Sequence, residues 1–123
     1  MTFDAAITFL PCRNLAKAVA FYEDGVGCEV VVRQEGCVIL RAAPGGYVGL
    51  CERPENVGKT AGVILTLVID DVDAVARAVT AAGGTITVEP RHNPTYGIYQ
   101  CFAEDLDGNV LEIQRFDDPD WAG

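Results

Sequence analysis

The chain has 123 residues, half of them apolar, which is enough for one domain with a buried core and too hydrophobic for a disordered chain. Nine Lys and Arg against eighteen Asp and Glu leave a formal net charge of −9, and this argues against a nucleic-acid partner because no basic patch is present to neutralise phosphates. No apolar run reaches the roughly 18 residues of a membrane span, and the opening "MTFDAAITFLPC" lacks the basic and long apolar stretches of a secretion signal, so a cytoplasmic protein with no membrane partner is expected.

In chain order, "AAITFLPC" (5–12) reads as a strand and "RNLAKAVAFYEDGVG" as a helix. Asn14 is a good N-cap, and Leu15, Ala18, Val19 and Tyr22 fall at helical spacing on one face. Gly25 and Gly27 end the helix. Three strands are then predicted, "CEVVVRQ" from Cys28, "CVILRA" from Cys37 and "YVGLCER" from Tyr47, joined by turns at 35–36 and 44–46. "PENVGKTAG" is rich in Pro, Gly and polar residues, as a connector should be.

The order then repeats. "GVILTLVI" (62–69) is a strand, and "DDVDAVARAVTAAGG" is a helix capped by Asp70 or Asp71, with Val72, Val75, Ala76 and Val79 on its apolar face. "TITVEP", "GIYQCFAE" and "NVLEIQRF" are the closing strands, and "PRHNPTYG" (90–97) reads as a long loop carrying His92, the only histidine, and Tyr96. Asn14 to Asp71, Leu15 to Val72 and Gly27 to Gly84 share one offset of 57 positions, so the helix stripe and its glycine stop recur in phase. The expected architecture is α+β: module one over 5–53, a linker over 54–61, module two over 62–116 and an acidic tail over 117–123. Two such βαβββ units set side by side would curve their sheets around a hollow, the expected ligand site. The five cysteines form no CxxC pair and are expected to be reduced thiols, most of them in the core.

"ITFLPCRNLAKAVAFYEDGVGCEV", "LVIDDVDAVARAVTAAGGTI" and "FAEDLDGNVLEIQRF" resemble the module openings and the usual ending of the vicinal oxygen chelate superfamily (glyoxalase, bleomycin resistance protein, dioxygenase), over nearly the whole chain. The resemblance implies two tandem βαβββ modules in a cupped eight-stranded mixed sheet. It also implies one of two modes of action. Enzymes of the family hold a divalent metal through side chains on the first and last strand of each module. Binding members lack the metal and trap planar or cationic molecules, generally as dimers.

Counting seven residues back from each helix cap puts Ile7 and Ile64 at the first-strand ligand positions, and isoleucine ligates nothing. Glu112 matches the terminal carboxylate ligand. Aligning "GYVGLCER" on "GNVLEIQR" puts Leu50 opposite Glu112, with Glu52 on the same face as Leu50. No cofactor is therefore expected; any metal would rest on Glu52 and Glu112, a poor site that only a hard cation would accept. Strand alternation gives the candidate ligand-binding residues as Ile7, Phe9, Leu50, Glu52, Ile64, Thr66 and Gln114, with Tyr99 or Gln100 from a strand whose parity stays open. Two functions follow. One is a metal-free homodimeric binding protein for a small amphipathic or cationic molecule. The other is an enzyme of lyase, isomerase or dioxygenase type that uses Glu112 on a small carbonyl or diol substrate.

Overall fold

The computed structural model covers residues 1–123. Module one comprises β1 (Ala6–Cys12), α1 (Leu15–Ala20), β2 (Glu29–Gln34), β3 (Cys37–Ala43) and β4 (Gly46–Glu52). Module two comprises β5 (Ile64–Val68), α2 (Val72–Ala81), β6 (Thr85–Asn93), β7 (Ile98–Glu104) and β8 (Val110–Phe116). The helix starts are where their caps place them. The Asn14 side chain accepts from the Lys17 N–H, and the Asp71 side chain from the Ala74 N–H, each at 3.0 Å. The end of the first helix differs from expectation: after Ala20 it widens into a π-helical turn over Phe21–Val26, which buries both Phe21 and Tyr22. No helix is long and apolar enough to cross a membrane.

The strands form two four-stranded sheets, ordered β1-β4-β3-β2 and β5-β8-β7-β6, with no hydrogen-bonded strand pair joining them into one sheet of eight. In each module the first and last strands pair parallel and the others antiparallel. A parallel pair needs a crossover, and the helix supplies it, packing on one face of its own sheet. That face is the buried one. Leu10, Cys12, Leu40, Val48 and Leu50 of the first sheet share a single core with Val79, Ala103 and Leu111 of the second module. The helices meet closely: a Cβ on Gly25 would lie 2.4 Å from the Cβ of Ala82.

A polar lock ties the modules where β7 turns into β8. Asp105 is buried; its Oδ1 accepts the N–H groups of Asp107 and Asn109 at 2.9 Å each, and its Oδ2 accepts the Tyr22 hydroxyl at 2.7 Å. Gly108 supplies the positive φ, 81°, that the turn requires. Asn109 donates to the Pro11 carbonyl at 3.1 Å and accepts from the Thr60 hydroxyl at 3.0 Å. Burial, and then the Asp105 carboxylate, push the Tyr22 phenol well above its ordinary range.

The thiol expectation holds for Cys12, Cys28 and Cys101, which are buried and free, but not for the other two. Cys37 and Cys51 lie directly opposite each other on β3 and β4, 4.2 Å apart at Cα, and form a disulfide. Their spacing along the chain gives no hint of this, because a cross-strand pair is set by hairpin register and not by a CxxC motif.

Candidate functional site

Each sheet has a second face that carries no helix. On the first sheet the register sets Ile7 beside Tyr47, Phe9 beside Gly49 and Pro11 beside Cys51. On the second it sets Ile64 beside Val110, Thr66 beside Glu112 and Val68 beside Gln114. These open faces leave Ile7, Phe9, Ile64 and Val68 between 44% and 54% exposed, far from the core values that the opposite faces show. The shared core lies on the helix side, and none of the five best-defined cavities draws on both open faces.

The cavity that holds the sequence-derived candidates is built by module two alone. It measures about 590 Å³ and is walled by Tyr96, Ile98, Phe102 and Phe116, with Asn93, Gln100, Glu112 and Gln114 as its polar members. β7 fixes its parity: Gln100 pairs with Gln114 and Phe102 with Glu112, so Gln100 faces the cavity. Tyr99 points the other way, where its hydroxyl donates to Asp73 of α2 at 2.7 Å. This resolves the open choice in favour of Gln100.

Glu112 is the centre of a short hydrogen-bond chain. Its Oε1 accepts the Thr66 hydroxyl at 2.9 Å, its Oε2 accepts the Gln100 amide, and the Gln100 carbonyl oxygen accepts the Asn93 amide at 2.7 Å. The donors aim the carboxylate and leave it further acceptor capacity. No Lys or Arg lines the cavity; Arg91, opposite Gln100 on the edge strand, is exposed and in no ion pair. Gln114 is only 7% exposed and makes no side-chain hydrogen bond, yet it lines the cavity, so its amide is available to an occupant.

Leu50 and Glu52 do not belong to this face. β4 pairs Leu50 with Leu10 and Glu52 with Cys12, on the helix side. Leu50 is fully buried in the core, and Glu52 accepts the Leu15 N–H at 3.0 Å at the start of α1. The register error is one residue, which in a strand moves every side chain to the other face. Phe9 and Thr66 are equivalent positions, 57 apart, and they pair with Gly49 and Glu112, so Gly49 is the true counterpart of Glu112. A Cβ at Gly49 would lie 2.4 Å from the Phe9 ring, which fills that space.

The four equivalent strand positions are thus Ile7, Gly49, Ile64 and Glu112, a set with one donor side chain. No group of three or more His, Cys, Asp or Glu converges anywhere in the chain. The divalent metal of the enzymes that the sequence resembles does not fit these residues. His92 is also placed differently from expectation. β6 runs on to Asn93, so His92 sits in a strand opposite Tyr99 with its ring edge-on to the tyrosine at 5.0 Å, on the helix side. Tyr96, in the tip of the hairpin, does reach the cavity.

Two βαβββ modules, helix-faced on one side and open on the other, with a strand carboxylate at the heart of one open face, define the class. The chain belongs to the glyoxalase/bleomycin resistance protein/dioxygenase superfamily, whose family model matches residues 5–113. Solved structures of similar fold include a hypothetical protein from S. aureus, at 21% identity and a TM-score of 0.77 over 94% of this chain and 95% of that one. A glyoxalase/bleomycin resistance protein/dioxygenase family enzyme from Burkholderia phytofirmans PsJN is 20% identical, with a TM-score of 0.76 over 92% and 98%. A glyoxalase/bleomycin resistance protein from Albidiferax ferrireducens T118 is 22% identical, with a TM-score of 0.73 over 92% and 97%. At these identities the likeness bears on the fold alone. No curated protein matches the sequence.

Proposed function

We propose that this protein binds a small amphipathic molecule carrying an ammonium or similar donor on the open face of its second sheet, without a metal. One observation carries the reading: Glu112 is held by Thr66 and Gln100 inside a cavity of about 590 Å³ with aromatic walls and no lining cation. A carboxylate fixed among apolar walls is an acceptor for a charged donor, and the rings of Tyr96, Phe102 and Phe116 offer surface to an apolar body and cation–π faces to its head. An enzyme with Glu112 as general base is less well supported, because both carboxylate oxygens are already engaged by Thr66 and Gln100.

The working unit is proposed to be a homodimer. A second copy laid across the open faces would bury Ile7, Phe9, Ile64 and Val68, which the monomer leaves exposed. Sedimentation equilibrium tests this, and a monomer at tens of micromolar would oppose it. The ligand reading is tested by thermal unfolding with a panel of aromatic amines and their uncharged isosteres. At least one amine is expected to raise the melting temperature in a concentration-dependent way, with Glu112→Gln weakening it about tenfold or more, the worth of a charge-assisted hydrogen bond. A panel without effect, or an unchanged response in Glu112→Gln, would sink the proposal.

A further inference from the structure

We propose that the acidic segment after β8 is a strap of the ligand site, in which Trp121 positions the Phe116 ring and so makes the Glu112 cavity selective for aromatic bodies; this rests on the ligand reading above. Glu112, Gln114 and Phe116 alternate along β8 and share its open face. The chain then turns back. The Asp117 N–H donates to the Gly97 carbonyl at 2.9 Å, the Asp118 side chain accepts the Asp120 N–H at 2.9 Å, and the Trp121 N–H donates to the Asp118 carbonyl at 3.3 Å. The turn sets the indole on the Phe116 ring, with centroids 4.3 Å apart and planes 16° apart.

Three observations give this stack a role beyond covering the end of a strand. First, Phe116 is a wall of the cavity and Trp121 is not, so the indole acts through the ring it holds. Second, the strap is fastened to the hairpin that carries other walls. Gly97, which accepts the Asp117 N–H, follows Tyr96, and Ile98 pairs with Phe116 across β7 and β8. One turn therefore ties together Tyr96, Ile98 and Phe116, three of the four apolar walls. Third, Asp117, Asp118 and Asp120 are in neither of the two ion pairs of the chain, so no charge pairing anchors the strap, and its side-chain hold on the sheet is the stack. Phe116 is the last residue of β8, where an unbraced ring would pay to be ordered when a ligand arrives; a ring already held does not. A flat ligand ring needs one fixed face to stack on, whereas a saturated ring packs in many orientations. The brace thus favours an aromatic amine over a saturated one of equal charge.

Trp121 is the only tryptophan, so its emission reports on the stack in the full chain. Calorimetric titration with 2-phenylethylamine is compared with 2-cyclohexylethylamine, which has the same charge and a saturated ring. The wild type is expected to bind the aromatic amine at least about threefold more tightly. Trp121→Leu should remove most of that preference, and Trp121→Phe, which can still stack, should restore it. A merely structural loss would weaken both amines alike. Binding of 2-phenylethylamine should also change the Trp121 emission saturably, with the midpoint that calorimetry gives. Equal affinity for the two amines, a preference retained in Trp121→Leu, or an emission blind to saturating 2-phenylethylamine would overturn the strap and leave the ligand reading standing. If neither amine binds, or if Glu112→Gln binds both as the wild type does, the ligand reading fails and the strap with it. A change of oligomeric state in Trp121→Leu would assign the indole to an interface between copies and likewise overturn the proposal.

Discussion

Glu112 and Gly49 occupy the same place in the two modules, and the pair explains why one open face is polar and the other plugged. At Glu112, Thr66 and Gln100 take up one carboxylate oxygen each, and the proposed binding mode leaves a ligand donor to the remaining lone pairs and to the Gln114 amide. Thr66→Val should loosen the aim of the carboxylate and lower ligand affinity less than Glu112→Gln does, a ranking that calorimetry can read. At Gly49 the Phe9 ring fills the space of the missing side chain. Gly49→Ala is therefore expected to destabilise the fold by about 1–3 kcal/mol, as overpacking does. In urea unfolding the double variant Phe9→Ala, Gly49→Ala should cost less than the two singles together, since the ring that the added methyl would strike is gone. Additive costs would show that the two do not compete for space. Glu112 and Gln114 share a face by alternation along one strand, and the count back from the Asp71 cap places Thr66 on the same face through Ile64. Leu50 and Glu52 were misplaced because Gly46 stands in for Gly45 as the match to Gly108, which slides β4 by one residue. Nothing in the sequence of β7 distinguishes Gln100 from Tyr99; its pairing with β8 does.

The elements that hold the site in place are short, and their ends carry much of the specification. The Asp105–Asn109 turn binds Pro11, Tyr22 and Thr60 of module one and its linker to the start of β8. Asn109→Ala would leave buried partners unsatisfied, so a loss of about 1–3 kcal/mol or more is expected in chemical unfolding. A cost near zero would mean that the turn does not couple the modules. Asp71→Ala should cost about 1 kcal/mol through loss of the α2 cap. The caps and the 57-residue repeat were readable because both rest on local chemistry. The extension of β6 past Pro90 was not. Proline reads as a strand breaker, but β6 is the edge of its sheet, where a missing N–H can face away from the ladder. The same extension carried His92 out of its expected loop. The π-helical turn over Phe21–Val26 was likewise invisible, because a single helical stripe accounts for Tyr22 but not for the burial of Phe21 beside it.

For the molecule as a whole, one core on the helix side frees two open faces of different character. The first sheet presents Phe9 and Ile7, and the second presents Glu112 among aromatic rings. The core also sets how stability depends on pH. Burial pushes the Cys12 and Cys28 thiols from 9.0 up to about 11, and Tyr22 is raised as well. Native groups that hold protons more tightly than the unfolded chain contribute stability that is complete below about pH 9. It is then lost as the pH climbs through 9 to 11. The urea midpoint should accordingly fall between pH 8 and pH 10.5, and a constant midpoint would mean that these groups are no better shielded folded than unfolded. The βαβββ duplication was legible from pattern and the fold from the family resemblance, whereas the way the modules meet was not, because that depends on helix-to-helix contacts such as Gly25 against Ala82.

The proposed ligand site is the open face of the second sheet. Amide chemical-shift mapping during titration with the most stabilising aromatic amine tests it most directly. The largest shifts are expected along Gln100, Phe102, Glu112 and Gln114 and at Tyr96, and they should fade in Glu112→Gln. Shifts confined to α1, α2 or the first sheet, or an unchanged pattern in that variant, would contradict it.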